Sequence, residues 1–168
     1  MPANPAIKDI VKTVLARLFR AIPLPIARLI VGLLHARFNI TVAGVFFTAD
    51  GRVLILKHVY RHRYPWGLPA GFLDAGEVPE VAMAREVKEE VGLEVKVERV
   101  LTAHLIRPRH MEVVVVGTVD ARQTPRPNHE IFEAAFVAAN ALPADMMPSQ
   151  AAIVRRAIAA PPALRIEA

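Results

Sequence analysis

"WGLPAGFLDAGEVPEVAMAREVKEEVGL", residues 66–93, carries six acidic side chains in 28 residues. Three of them, Glu86, Glu89 and Glu90, fall within five consecutive positions. Like charges one helical turn apart repel, so helix stability alone does not account for the placement. Pro79 suits a first helical position and Gly92 a left-handed stop, so the spacing predicts a helix over 79–91. At about 100° per residue, Ala84, Val87 and Val91 form one apolar stripe. The three glutamates gather on the opposite side, with Arg85 at their edge. One reading is a solvated acidic face with ion pairs to Arg85 and Lys88. The sharper reading is a site for a hard divalent cation, Mg2+ or Mn2+, which takes oxygen ligands and shares them with substrate phosphates. Gly71 and Gly76 predict a tight loop before the helix, closed by Glu77. Such a loop can bring a backbone carbonyl and a fourth carboxylate to the same place.

Outward from this segment the rhythm is that of a mixed α/β chain. "NITVAGVFF" and "RVLILKH", separated by "TADG", predict a β-hairpin with Asp50-Gly51 in its turn. "LEVKVERVLTAHLI" and "MEVVVVGTVDA" are two further β-rich runs joined by "RPRH", and "EIFEAAFVA" (130–138) is a short strand. "PSQAAIVRRAIAA" (148–160) predicts a helix beginning near Pro148. Upstream, apolar residues at Ile7, Ile10, Val11, Val14, Leu15, Leu18, Phe19 and Ile22 predict an amphipathic helix with a basic opposite face. Pro23 and Pro25 end it, and a second helix is predicted from about Pro25 to Ala36. The expected division is a basic helical segment over 1–38 and a main domain over 39–168.

The 168 residues are 54% hydrophobic and 22% charged, which excludes a disordered chain. The absence of cysteine excludes disulfides, thiolate zinc sites and cysteine nucleophiles, and fits a reducing, cytoplasmic setting. The net charge of +5 is a property of the first 38 residues, where six basic groups face Asp9 alone; residues 39–168 are electroneutral. That argues against an extended nucleic-acid track. The greasiest stretch, "IPLPIARLIVGLLHARF" (22–38), is interrupted by Pro23, Pro25 and Arg28, so a membrane span is not expected. The basic helices fit packing on the main domain, packing on a second subunit in a homodimer, or peripheral contact with an anionic membrane.

Gly71, five residues, Glu77, seven residues, then Arg85-Glu86-Val87-Lys88-Glu89-Glu90-Val91-Gly92-Leu93 match the Nudix hydrolase signature at every defined position. The chain therefore resembles that family over about 39–160, and residues 1–38 lie outside the resemblance. The resemblance implies an α/β/α sandwich with a mixed sheet. It also implies hydrolysis of a nucleoside diphosphate linked to another group, by water attack on phosphorus with Mg2+ or Mn2+. It gives Glu86 and Glu90 as metal ligands, with the Gly71 carbonyl, and Glu89 as a third ligand or the base. Arg85 would orient the glutamates, with Glu77 as its partner. The general base often comes from outside the box, and Glu130 is favoured here over Glu89 and Glu133. Two departures stand out: Ala70 replaces a usual second glycine, and Val78 replaces a usual Ser/Thr cap.

Substrate choice is written outside the box. "YRHRYPW" (60–66) offers Arg61, Arg63 and Tyr64, with Tyr60 and Trp66, for phosphate forks and base stacking. Arg107 and Arg109 flank Pro108, and a proline 15 residues beyond the box resembles the ADP-ribose pyrophosphatase subgroup. Of the histidines, His62 and His129 sit beside candidate site residues. The competing class is a Nudix module that senses a nucleotide without cleaving it; RNA 5′-end or oxidised-nucleotide hydrolysis is a further alternative.

Overall fold

Asp50 and Gly51 build the first turn as their chemistry requires. Gly51 takes φ +80°, and its N–H reaches the Thr48 carbonyl at 2.9 Å. Asp50 accepts from Thr48 and pairs with Arg52 at 2.7 Å. Strand β1 (Asn39–Phe47) and strand β2 (Arg52–His58) leave this turn antiparallel, in register Phe47↔Val53. They then separate. β2 adds β3 (Trp66–Gly67), and β1 adds β4 (Ala70–Phe72), in register Val42↔Gly71. On the other side of β1, β6 (His110–Val119) runs parallel and β5 (Val95–Arg107) follows it antiparallel. β7 (Ile131–Ala138) pairs with β2. The result is a seven-stranded mixed sheet.

The computed structural model describes residues 22–34 and 37–159. Helix α1 (Leu24–Leu34) belongs to a first compact unit over 1–37, and the sheet and remaining helices belong to a second over 38–168. The helix expected over 7–22 lies outside the described residues. Among the described residues no helix is long and apolar enough to cross a membrane.

Alternation along the strands divides the sheet's two faces between two cores. Val42, Phe46, Leu54, Leu56, Val113 and Val115 face helix α2 (Pro79–Val91), which buries Ala82, Met83, Val87 and Val91 against them. Val45, Val53, Ile55, Val114 and Val116 face helix α3 (Pro148–Ala159), which buries Ala151, Val154 and Ala157. The expected α/β/α sandwich is thus the fold.

Helix α2 starts and stops as its sequence dictates. Pro79 occupies the first turn, and Gly92 at φ +68° closes the last, its N–H bonded to the Lys88 carbonyl. Val78 is the N-cap and makes no side-chain cap bond, although its φ of −94° and ψ of 151° are those of a capped residue. Val78→Ser should therefore add about 1 kcal/mol to stability. A urea midpoint that rises with an unchanged slope would show it; an unmoved midpoint would mean that solvent already satisfies those N–H groups.

Two expectations about this segment need correction. The buried stripe of α2 is Ala82, Met83, Val87 and Val91: Val87 and Val91 face the core as expected, but Ala82 and Met83 take the place of Ala84, which is only half-buried. The stretch before it is not all loop. Ala70–Phe72 is a strand on β1, and only Asp74–Glu77 turns, with Gly76 at φ +86° and the Glu77 N–H on the Asp74 carbonyl at 3.1 Å.

Candidate active site

The three clustered glutamates do not share one environment. Glu90 is 5% exposed and lies among the core residues of α2, whereas the side chain of Glu89 is 58% exposed. Glu86 stands between these extremes, its carboxylate lying directly over Gly71 of β4. A methyl group added at Gly71 would overlap the terminal atoms of Glu86, so only glycine lets the helix carboxylate approach the strand this closely. The atoms such a methyl would meet are the free end of the Glu86 side chain, which can swing away, so Gly71→Ala should displace the carboxylate and lower the rate while costing little stability. Thermal unfolding and steady-state rates on the same sample would separate the two effects. A variant with the parental rate would show that Glu86 has no fixed place.

Arg85 organises the acids around it. Its Nε and Nη2 donate to both oxygens of Glu77, at 3.1 and 3.0 Å, in the bidentate geometry peculiar to guanidinium. Nη1 donates to Glu86 at 2.8 Å and to Glu89 at 3.3 Å, and Nη2 also reaches the Phe72 carbonyl at 3.1 Å. One cation thus ties the turn, β4 and α2 together. These bonds, led by those of Glu77, hold the Arg85 pKa above its ordinary value, and Arg85 in turn holds Glu77 below its own. Lys88 takes no part: it pairs with Glu94 at 2.6 Å.

Glu90 has the opposite electrostatics. Burial first, then the nearby Glu86 carboxylate, push its pKa up to about 8, against the Ala70 N–H and Arg61. One of its oxygens, Oε2, is buried without a hydrogen-bond partner. Burial also raises Glu86, outweighing Arg85. Two adjacent carboxylates that both resist ionisation, one with an orphaned oxygen, are an oxygen donor set lacking its positive partner. The set suits a hard divalent cation. Among the described residues no three carboxylate or imidazole groups are arranged to hold an ion as they stand, and Arg85 engages Glu86 and Glu89. The fit therefore rests on Glu86, Glu90 and the backbone at Gly71.

Glu130 reaches the cluster from the loop before β7. The Asn128 N–H bonds the Glu90 carbonyl at 2.8 Å, and the Asn128 side chain accepts the Glu130 N–H at 2.8 Å, so the loop is fastened to the end of α2. The Glu130 carboxylate is 54% exposed, lies 3.9 Å from His129, and is near enough to Glu90 to raise its pKa. Glu133 is exposed on β7, in register with Lys57, away from this contact.

The candidate substrate residues divide. Arg61 comes to the site: it is half-buried, and Glu90 and Glu112 support its charge against the cost of burial. Arg63 is exposed and stacks on Tyr64, 5.3 Å from the ring centroid. Arg107 touches the rim. Its Nε donates to His110 Nδ1 at 3.2 Å, and the His110 ring lies 6.2 Å from Phe72. Because an arginine Nε can only donate, His110 carries its proton on Nε2, which donates to Thr41 at 3.1 Å. Arg109 sits exposed in the β5–β6 turn at φ +62°. Trp66 packs against the α3-side core, and His62 is exposed.

Three residues escaped the sequence reading. Glu112, half-buried on β6, stands in register with Thr41 and within ion-pair reach of His104 at 3.7 Å. His58 and Gln150 meet beside Gly67. Glu112 was visible as the one acid opening a run of valines; nothing local marks Gln150, whose partners lie 82 and 89 residues away.

The domain model that describes the NUDIX domain matches residues 37–157. The chain belongs to the Nudix family. An ADP-ribose pyrophosphatase of Mycobacterium tuberculosis is 54% identical over 56 residues, covering 31% of this chain and 27% of that protein. The NAD-capped RNA hydrolase NudC of Salmonella typhi is 30% identical over 110 residues, covering 65% of this chain and 42% of that protein. The chain thus spans less than half the length of these curated relatives. A Nudix hydrolase structure from Nitrosomonas europaea superposes with a TM-score of 0.66 at 19% identity, over 74% of this chain and 72% of that one, and shows the shared fold. The Nudix box of this chain is the segment from Gly71 to Leu93, with its helix on α2.

Proposed function

We propose that this Nudix protein is a divalent-metal-dependent hydrolase that cleaves the phosphoanhydride of a nucleoside diphosphate linked to a second group, with ADP-ribose-like substrates favoured. The observation that carries the reading is the buried Glu90, one oxygen unpartnered, beside a Glu86 fixed over Gly71. Glu86, Glu90 and the Gly71 carbonyl would hold the ion. When bound, Mg2+ or Mn2+ supplies charge withdrawal from the phosphoryl oxygens and a more acidic water.

The remaining work falls to the protein. Arg85 and Glu77 fix the orientation of Glu86. Glu130, solvent-facing yet coupled to Glu90, takes the proton of the attacking water. Glu89 is the weaker candidate for base because Arg85 already occupies it. Arg61 supplies a guanidinium without a direct ion pair among the described residues for the anionic substrate, with Arg63, Tyr64, Arg107 and Arg109 farther out. The water attacks one phosphorus in line, the anhydride oxygen leaves with the other phosphate, and two phosphate-bearing products part.

The test is release of phosphate-bearing products from ADP-ribose, diadenosine polyphosphates, oxidised dGTP, NADH and capped RNA with Mg2+ or Mn2+. Turnover of ADP-ribose above the others supports the reading. Binding without turnover of any of them would instead identify a nucleotide sensor.

A further inference from the structure

Arg61 is half-buried, yet it forms no ion pair among the described residues. Its side-chain hydrogen bond runs from Nη1 to Gln150 Oε1 at 3.4 Å. Gln150 is itself 5% exposed, and the same oxygen accepts the Leu68 N–H at 2.9 Å. Beneath them is Gly67, where an added methyl would overlap both Arg61 Nη1 and Gln150 Oε1 and touch His58 Nε2. His58 contributes no charge, because burial and Arg61 hold its pKa down to about 4. A buried arginine is ordinarily matched by a carboxylate. Here the nearest fixed acceptor is a neutral amide. It sets the direction of the guanidinium without neutralising it and leaves most of its five donors unspent. Glu90 and Glu112 flank it electrostatically, beyond ion-pair distance.

We infer that Gln150, from α3, is the positioning residue that holds Arg61 over Gly67 with its charge free, so that Arg61 reads a phosphate of the substrate beside Glu90. The inference rests on the hydrolase reading for the identity of the anion, and it names a device that the Nudix box does not contain. The choice of glutamine is the substance of the claim. A glutamate at 150 would keep the acceptor for Leu68, form an ion pair with Arg61 and cancel the charge that substrate needs. A purely structural role for Gln150 makes the opposite demand, since the ion pair would serve the fold as well or better.

The experiment uses the full chain with α,β-methylene-ADP and Mg2+ as probe, with titration calorimetry and thermal unfolding on parent, Gln150→Glu, Arg61→Ala and Gln150→Leu. Gln150→Glu should unfold at or above the parental temperature yet bind the probe at least tenfold more weakly, matching Arg61→Ala. Gln150→Leu strips the Leu68 N–H of its acceptor and should lower the unfolding temperature. In turnover of ADP-ribose, Gln150→Glu should raise KM about tenfold with kcat within threefold, the pattern of an interaction present before the transition state. Probe binding by Gln150→Glu within twofold of the parent would overturn the inference, as would parental binding by Arg61→Ala. The two readings fail separately. If Glu90→Gln abolishes turnover while Gln150→Glu binds normally, the hydrolase stands and this inference falls. If no substrate turns over while Gln150→Glu still loses the probe, the reverse holds.

Discussion

Replacing Glu90 by Gln is expected to cut turnover by about 10²-fold or more, by removing an oxygen ligand from the ion's position, while making the metal-free protein more stable at neutral to alkaline pH. The second effect follows from burial. Glu90 titrates at about 8 in the folded chain, against 4.5 for an ordinary glutamate, chiefly because burial opposes its charge and Glu86 repels it. The native state therefore holds a proton that the unfolded state releases between those values. Stability is fully present below about pH 4.5 and declines as pH rises to about 8. A shift of that size is worth a few kcal/mol. Buried His58, held down to about 4 against its ordinary 6.5, acts in the opposite sense up to about pH 6.5, so the fall due to Glu90 stands clear between about pH 6.5 and 8. In chelator, the parent's unfolding temperature should fall across that interval, and Glu90→Gln should flatten the fall. Glu77, whose pKa is lowered, acts at pH values below the ordinary carboxylate range, outside the window in question. Mg2+ should stabilise the parent at pH 8 more than it stabilises the variant. Parental turnover by Glu90→Gln, or an unfolding temperature in chelator that does not decline between about pH 6.5 and 8, would contradict the assignment.

Arg85→Lys is the second large effect. A lysine retains the charge but cannot reach both oxygens of Glu77, Glu86, Glu89 and the Phe72 carbonyl from one planar group. Orienting partners of this kind typically contribute 10- to 100-fold, and a fall in kcat of about that size is expected. Stability should fall as well, because the turn Asp74–Glu77, β4 and α2 lose the group that joins them. Excess Mn2+ should recover part of the rate, since the carboxylates remain. A rate equal to the parent's would show that the glutamates need no orienting cation. No recovery at any Mn2+ concentration would show that Arg85 acts elsewhere than through them.

Most of the fold was legible because its signals are local. The turn at Asp50-Gly51, the limits of α2 between Pro79 and Gly92, the continuous apolar runs of β1, β2 and β6 and the alternation of β5 each depend on neighbours in sequence. The short strands Trp66–Gly67 and Ala70–Phe72 were not, because two or three residues carry no periodicity and are strands only by pairing with β2 and β1. For the same reason the acidic helix face was read too evenly. Projection on a wheel places Glu86, Glu89 and Glu90 together, but it cannot show that the sheet rises over Glu90 and leaves Glu89 in water. Arg61 was legible as a cation before the box. Its partner Gln150 was not, because the two meet only when α3 folds across the sheet.

Divalent-ion binding itself tests the central claim most directly. Mn2+ titrated calorimetrically into the parent, Glu86→Gln, Glu90→Gln and the exposed, remote Glu98→Gln should bind the parent and Glu98→Gln alike. Binding should weaken at least tenfold when either Glu86 or Glu90 is changed. Equal affinity in all four proteins, or no binding to the parent at any pH from about 6 to 9, would show that these buried carboxylates serve something other than an ion.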